Sequence, residues 1–204
     1  MITLALVVVN LGVFLVELSQ GGEIDAFVRR WGLVPADVHE GLAAAITLLT
    51  STFLHAGWFH LGANMVYLVV FGLPVERRLG SSRFVGTYLL SGLVGGLVYL
   101  VAQPASTTPA VGASGAIAGV IAAHLVLFPG ATLGTLAPVL FLHVVESTPT
   151  LLLLLIWLAT QLLSSVASLT TSTGIAWWAH LGGFASGLVL APVLRRHRSR
   201  GGIS

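Results

Sequence analysis

The sequence predicts an all-α membrane protein, a bundle of six transmembrane helices of which the fourth is short. Three observations carry this expectation. Of the 204 residues, 56% are hydrophobic and only 8% are charged, against roughly 25% charged in an average soluble domain. Mean hydropathy is +0.98, so intrinsic disorder is excluded along with a soluble monomer. Finally, the apolar residues gather into six stretches that approach the ~20 residues a bilayer requires, and arginines mark one side of them.

The first stretch, Ile2–Leu18, lacks a basic leader and a small-residue cleavage site, and reads as a retained helix. A start directly in a span hints at a minimal version. The long connection over residues 19–57 holds Glu23, Asp25, Arg29, Arg30, Asp37 and Glu40, then an apolar run from Leu42 to Leu54. Apolar runs this short suggest helices lying at the interface. The second and third spans, Trp58–Leu73 and Phe84–Val101, flank a turn with Glu76, Arg77, Arg78 and Arg83.

The fourth stretch, Ser114–Phe128, follows the proline-broken segment Gln103–Pro109 and stops at Pro129-Gly130. At 1.5 Å per residue it covers about 22 Å of a hydrocarbon core about 30 Å thick. Its outer end therefore starts below the surface, where irregular backbone is tolerated only beside a protected, wet cavity. A buried aqueous site is expected at Ser114. Leu151–Val166 and Trp178–Leu194 complete the set, giving one domain over residues 1–204.

All nine basic residues are arginine, and seven of them (Arg77, Arg78, Arg83, Arg195, Arg196, Arg198, Arg200) lie in the second turn and the tail. An even number of spans puts both on one side, cytoplasmic by the positive-inside rule, with the long loop outward. Trp31, Trp58, Trp177 and Trp178 mark the outer boundary. The expected location is the cell (plasma or inner) membrane, with both termini cytoplasmic. No basic stripe suits nucleic acid.

Polar side chains within spans are functional candidates: Glu17, His60, Asn64, Ser114, His124, Gln161, Ser164, Ser165 and His180. Ser114 sits in Gly112-Ala-Ser-Gly115 at a helix start, as a cap or as a nucleophile whose own N–H helps hold an oxyanion. His180 shares a helix face with Gly183 and Gly187, which permit close packing; pressed against the fourth span, it becomes a general base for Ser114. His60 and Asn64 stack at i,i+4, as interhelical hydrogen-bonding groups or as oxyanion donors. The others read as packing residues, with Glu17 and Glu146 reaching water and His55 and His143 in or near loops.

Several chemistries drop out. The chain has no cysteine, hence no thiolate nucleophile and no zinc–cysteine site. It has no H-E-x-x-H, and both aspartates, Asp25 and Asp37, lie in the first loop. An aspartyl dyad and a Ser-His-Asp triad are excluded, and no metal or cofactor is implied. A serine–histidine dyad is the hydrolytic chemistry that remains.

Four motifs in order resemble the rhomboid family of intramembrane serine proteases: His60-x-x-x-Asn64, Gly72-x-x-x-Glu76-Arg-Arg-Leu-Gly80, Gly112-x-Ser114-Gly115, and Ala179-His180-x-x-Gly183-x-x-x-Gly187. The resemblance implies a six-helix bundle with the short fourth helix central. It implies Ser114 as nucleophile, His180 as base, and His60, Asn64 and the Ser114 N–H as the oxyanion hole. Glu76 and its flanking glycines become structural. Lacking a carboxylate partner, His180 is expected to be held by packing. Substrates would be transmembrane helices of other proteins, entering beside the fifth span, with the uncharged loop Ser168–Gly174 as a cap. A Trp-Arg pair frequent in the family's first loop appears here reversed, as Arg30-Trp31.

Two other classes compete. A non-catalytic rhomboid-like protein that binds transmembrane helices generally lacks the serine or the histidine, and this chain has both. A small permease would show charged or broken-helix ion sites and internal repeats, which the sequence lacks.

Overall fold

A computed structural model describes residues 1–139, 142–169 and 176–195. Most of the expected cap loop, the arginines 196, 198 and 200, and the side chains of Glu40, His143 and Glu146 lie outside the described residues.

The chain is a helical bundle. Among the described residues, five helices are long and apolar enough to cross a membrane: α1 (Ile2–Ser19), α4 (Trp58–Leu79), α5 (Ser81–Ala102), α7 (Thr150–Ala167) and α8 (Trp177–Leu194). A sixth, α6 (Ser114–Leu127), has 14 residues, about 21 Å of helix. Between α1 and α4 lie two short helices, α2 (Ile24–Trp31) and α3 (Leu42–Thr50). Helix α3 lies within the apolar run from Leu42 to Leu54 that suggested interfacial helices, whereas α2 lies in the charged stretch before it, which carried no such expectation.

The short helix is central. Every residue from Gly115 to His124 is buried, because α6 is packed by α8, α5 and α4. Small residues permit this enclosure: the Gly183 and Gly187 Cα atoms rest on the carbonyl oxygens of Gly115 and Gly119. Helix backbones that approach so closely gain van der Waals contact without a hydrophobic driving force, as bundles in lipid require. In contrast, α7 buries only Thr150, Leu154, Gln161 and Ser165.

One end of the bundle is tied by Glu76. Its Oε1 accepts from the Ile2 N–H at 2.7 Å and the Ser81 hydroxyl at 2.7 Å. Its Oε2 accepts from the Thr3 N–H at 2.9 Å and the Thr3 hydroxyl at 2.7 Å. The carboxylate thus satisfies the otherwise orphaned first N–H groups of α1 while bracing the start of α5. Gly80, at φ +86, makes the sharp α4–α5 turn. Arg83 Nη1 donates to the Leu194 carbonyl at 3.1 Å, so the arginine-bearing turn and the end of α8 share one side.

The α6–α7 connection departs locally from helix. Strands β1 (Thr132–Val139) and β2 (Leu142–Pro149) pair antiparallel, from Thr132 opposite Pro149 to Val139 opposite Leu142. Thr132, Thr135 and Val139 in β1 and Val144, Val145 and Thr148 in β2 are β-branched residues that suit a pleated backbone. Open strand edges are not tolerated in hydrocarbon, so this hairpin belongs outside the membrane core.

Candidate active site

Ser114 is the first residue of α6, and its placement depends on the loop before it. Segment 103–113 is clamped by the long first loop: Leu33 bridges Ala110 in both directions, at 3.0 and 2.8 Å. Ala36 N–H donates to Ser106 O at 3.0 Å, and Gly112 N–H donates to Ser51 O at 2.8 Å. Gly112 adopts φ +122, and a Cβ there would lie 2.7 Å from His60 Cε1. Only glycine fits that position. As the first helical residue, Ser114 has an N–H without an intrahelical acceptor.

On α8, His180 meets Ser114. Its Nε2 lies 2.7 Å from Ser114 Oγ. Its Nδ1 lies 2.6 Å from Gln161 Oε1 on α7. The glycine face read from the sequence does press α8 onto α6, since Gly95 and Gly115 both abut the Ala179 carbonyl, next to His180. Trp157 and Trp177 flank the imidazole, with centroids 6.3 and 5.7 Å away. Packing alone does not hold the ring, however. That expectation is corrected by the Gln161 hydrogen bond, because a neutral amide oxygen can serve where a carboxylate is absent.

His60 and Asn64 share one face of α4 and reach the same site. Ala56 N–H donates to His60 Nδ1 at 3.3 Å, so a neutral His60 ring carries its proton on Nε2 and can donate from there. That Nε2 faces Gly112. Asn64 is buried, and its Nδ2 has no protein acceptor. An orphaned buried amide N–H is costly unless a ligand oxygen completes it.

Asn64, Ser114 and His180 line a cavity of about 140 Å³, with Tyr67, Ile117 and Trp157 among its apolar walls. On the other side of Ser114 is a smaller space of about 30 Å³, bordered by Ser51, Thr52 and Gly112. This is room for about one water molecule. A hydroxyl, an imidazole, two side-chain donors and a polar hollow therefore converge inside an apolar bundle.

The remaining candidates sort differently. Glu17 does not reach water: it is fully buried, and its carboxylate accepts the His55 backbone N–H at 3.2 and 3.1 Å. The first loop folds back over the end of α1, which the local sequence did not signal. His55, in the loop before α4, is only 3% exposed. Burial, and secondarily the nearby His60 ring, lower it to about pKa 4. His124 packs edge-on to Phe71 and tilted against Phe128, with ring centroids 5.1 and 5.0 Å away. Ser165 donates to the Gln161 carbonyl at 2.8 Å, a helix contact. Gln161, read only as a packing residue, is the neighbour of His180 Nδ1; the one sequence signal was its being a lone amide within an apolar span.

A rhomboid-domain model matches residues 43–197. Among curated relatives, Rhomboid protein 1, mitochondrial, of Saccharomyces cerevisiae is 31% identical over 194 residues, covering 91% of this chain and 51% of the relative. Presenilin-associated rhomboid-like protein, mitochondrial, of Rattus norvegicus is 34% identical over 149 residues, 69% of this chain and 36% of the relative. Rhomboid-like protein 11, chloroplastic, of Arabidopsis thaliana is 32% identical over 117 residues, 57% and 39% respectively. The chain spans about half or less of these relatives' lengths. Their compartments overturn the expected plasma or inner cell membrane and the cytoplasmic termini tied to it: these names point to organellar membranes. Arginine placement reports which side of a membrane faces the synthesis compartment, not which membrane it is.

Proposed function

The chain belongs to the rhomboid family, and we propose that it is an intramembrane serine endopeptidase, a single rhomboid-type domain that cleaves transmembrane helices of other proteins. The observation that carries this reading is the 2.7 Å approach of His180 Nε2 to Ser114 Oγ, the pairing a base needs to activate a hydroxyl.

In this mechanism Ser114 Oγ attacks the scissile carbonyl carbon while its proton passes to His180 Nε2. The carbonyl oxygen becomes an oxyanion. It is held by the Ser114 N–H at the positive end of α6, by Asn64 Nδ2–H and by His60 Nε2–H. Collapse breaks the C–N bond, and His180 gives its proton to the departing amine. Water then attacks the acyl-enzyme, His180 taking its proton and returning one to Ser114. The cavity of about 140 Å³ beside the dyad suits an apolar side chain flanking the cleaved bond, and the hollow behind Ser114 suits the hydrolytic water.

The test is labelling of the full chain in detergent with a serine-reactive fluorophosphonate. Wild type is expected to label, and Ser114→Ala and His180→Ala are expected not to. Robust labelling of Ser114→Ala would sink the assignment.

A further inference from the structure

A buried imidazole is a competent base only if its free lone pair is on the nitrogen that faces the nucleophile. For His180 that nitrogen is Nε2, which requires the proton to sit on Nδ1. The group against Nδ1 therefore decides the tautomer, and in this chain it is the Gln161 side chain at 2.6 Å.

An amide can present either its oxygen or its nitrogen, and the neighbouring bonds determine which. Thr160 donates its hydroxyl proton to the Trp157 carbonyl at 2.6 Å. Its Oγ1 is left as an acceptor and takes a bond from Gln161 Nε2 at 3.3 Å. With the amide N–H₂ engaged there, Oε1 faces His180. An oxygen can only accept, so the Nδ1 proton is required. Gln161 is 5% exposed and lies with Thr150, Leu154 and Ser165 on the one buried face of α7. A primary amide at such a position is costly without partners, and both of its ends have them.

We propose that Gln161 is the positioning residue of the dyad, holding His180 in the tautomer and ring rotation that leave Nε2 free to accept the Ser114 proton. The inference rests on Ser114 and His180 being nucleophile and base. Trp157 and Trp177 restrict the plane of the ring; the amide sets its rotation within that plane. As imidazolium forms, the Nδ1–H···Oε1 bond becomes charge-assisted and strengthens, so the amide favours the transition state without burying a permanent charge. Since Gln161 is on α7, the dyad is aligned only while that thinly packed helix is docked.

Fluorophosphonate labelling of the full chain in detergent tests this, with the maximal inactivation rate separated from the half-saturating probe concentration. Gln161→Met keeps the volume and removes the acceptor; its maximal rate is expected to fall roughly 10–100-fold, the range for partners that orient an imidazole, at unchanged half-saturation. Gln161→Glu restores an acceptor oxygen and is expected to recover most of that rate. A wild-type rate in Gln161→Met overturns the inference, as does an equal loss in both variants, which marks a packing defect. Labelling that survives Ser114→Ala instead overturns the underlying protease reading.

Discussion

Thr3 gives both its backbone N–H and its hydroxyl to a single oxygen of Glu76, 73 positions along the chain. The other oxygen takes Ile2 and Ser81, so all four bonds run toward the carboxylate. Glu76→Gln is therefore not conservative, since an amide N–H₂ must confront two donors. Both Glu76→Gln and Glu76→Ala are expected to destabilise the bundle by about 3 kcal/mol, from hydrogen bonds to a charged group worth about 1.5–3 kcal/mol each and incompletely additive. Thermal unfolding in detergent measures this; an unchanged midpoint would remove Glu76 from its structural role.

Asn64 should behave in the opposite way. Because Nδ2 has no protein partner, Asn64→Ala is expected to leave the thermal midpoint unchanged or slightly raised. Loss of one oxyanion donor should slow fluorophosphonate labelling roughly 10²–10³-fold. Full-rate labelling of this variant would mean that the oxyanion is held elsewhere.

Gly183→Ala couples stability to chemistry. The added methyl would collide with the Gly115 backbone carbonyl, which cannot rotate away. Overpacking of this kind costs about 1–3 kcal/mol, and it moves α8, with His180, away from Ser114. The expected outcome is a lowered thermal midpoint together with labelling reduced at least tenfold. Normal labelling in a destabilised protein would show that the dyad tolerates the shift.

His55 supplies a pH dependence. Burial holds its folded-state pKa near 4, below the ordinary value of 6.5, so the unfolded chain binds the proton more readily. Its stabilising effect is complete above about pH 6.5, is lost progressively as pH falls toward about 4, and levels off below that. The loss is at most about 3 kcal/mol. Titrating groups around it are the His60 ring, at 5.3 Å, and the Glu17 carboxylate on its backbone N–H. His55→Leu is expected to flatten the midpoint-versus-pH curve between pH 4 and 6.5; a slope equal to wild type would exclude His55 as its source.

Much of the bundle was legible in the sequence because membrane insertion is a local criterion. Hydropathy over a window identifies a span, proline and glycine mark its ends, and glycine spacing along Gly183 and Gly187 marks a face that can be approached. The pairing of β1 and β2 was less legible, because it depends on residues of two segments facing one another and not on the composition of either segment.

By itself the sequence determined the membrane class, the short fourth helix, and the few polar residues able to do chemistry, since lipid makes each of them conspicuous. Only the tertiary structure decided which of these meet. Ser114 and His180 are 66 positions apart and Gln161 is 19 from His180, and no local property of the chain specifies an amide oxygen at an imidazole nitrogen. Nor does local polarity report that Glu17 is buried under His55. Hydropathy belongs to a segment, whereas hydrogen-bond geometry belongs to a pair of segments, and packing is what brings the pair together.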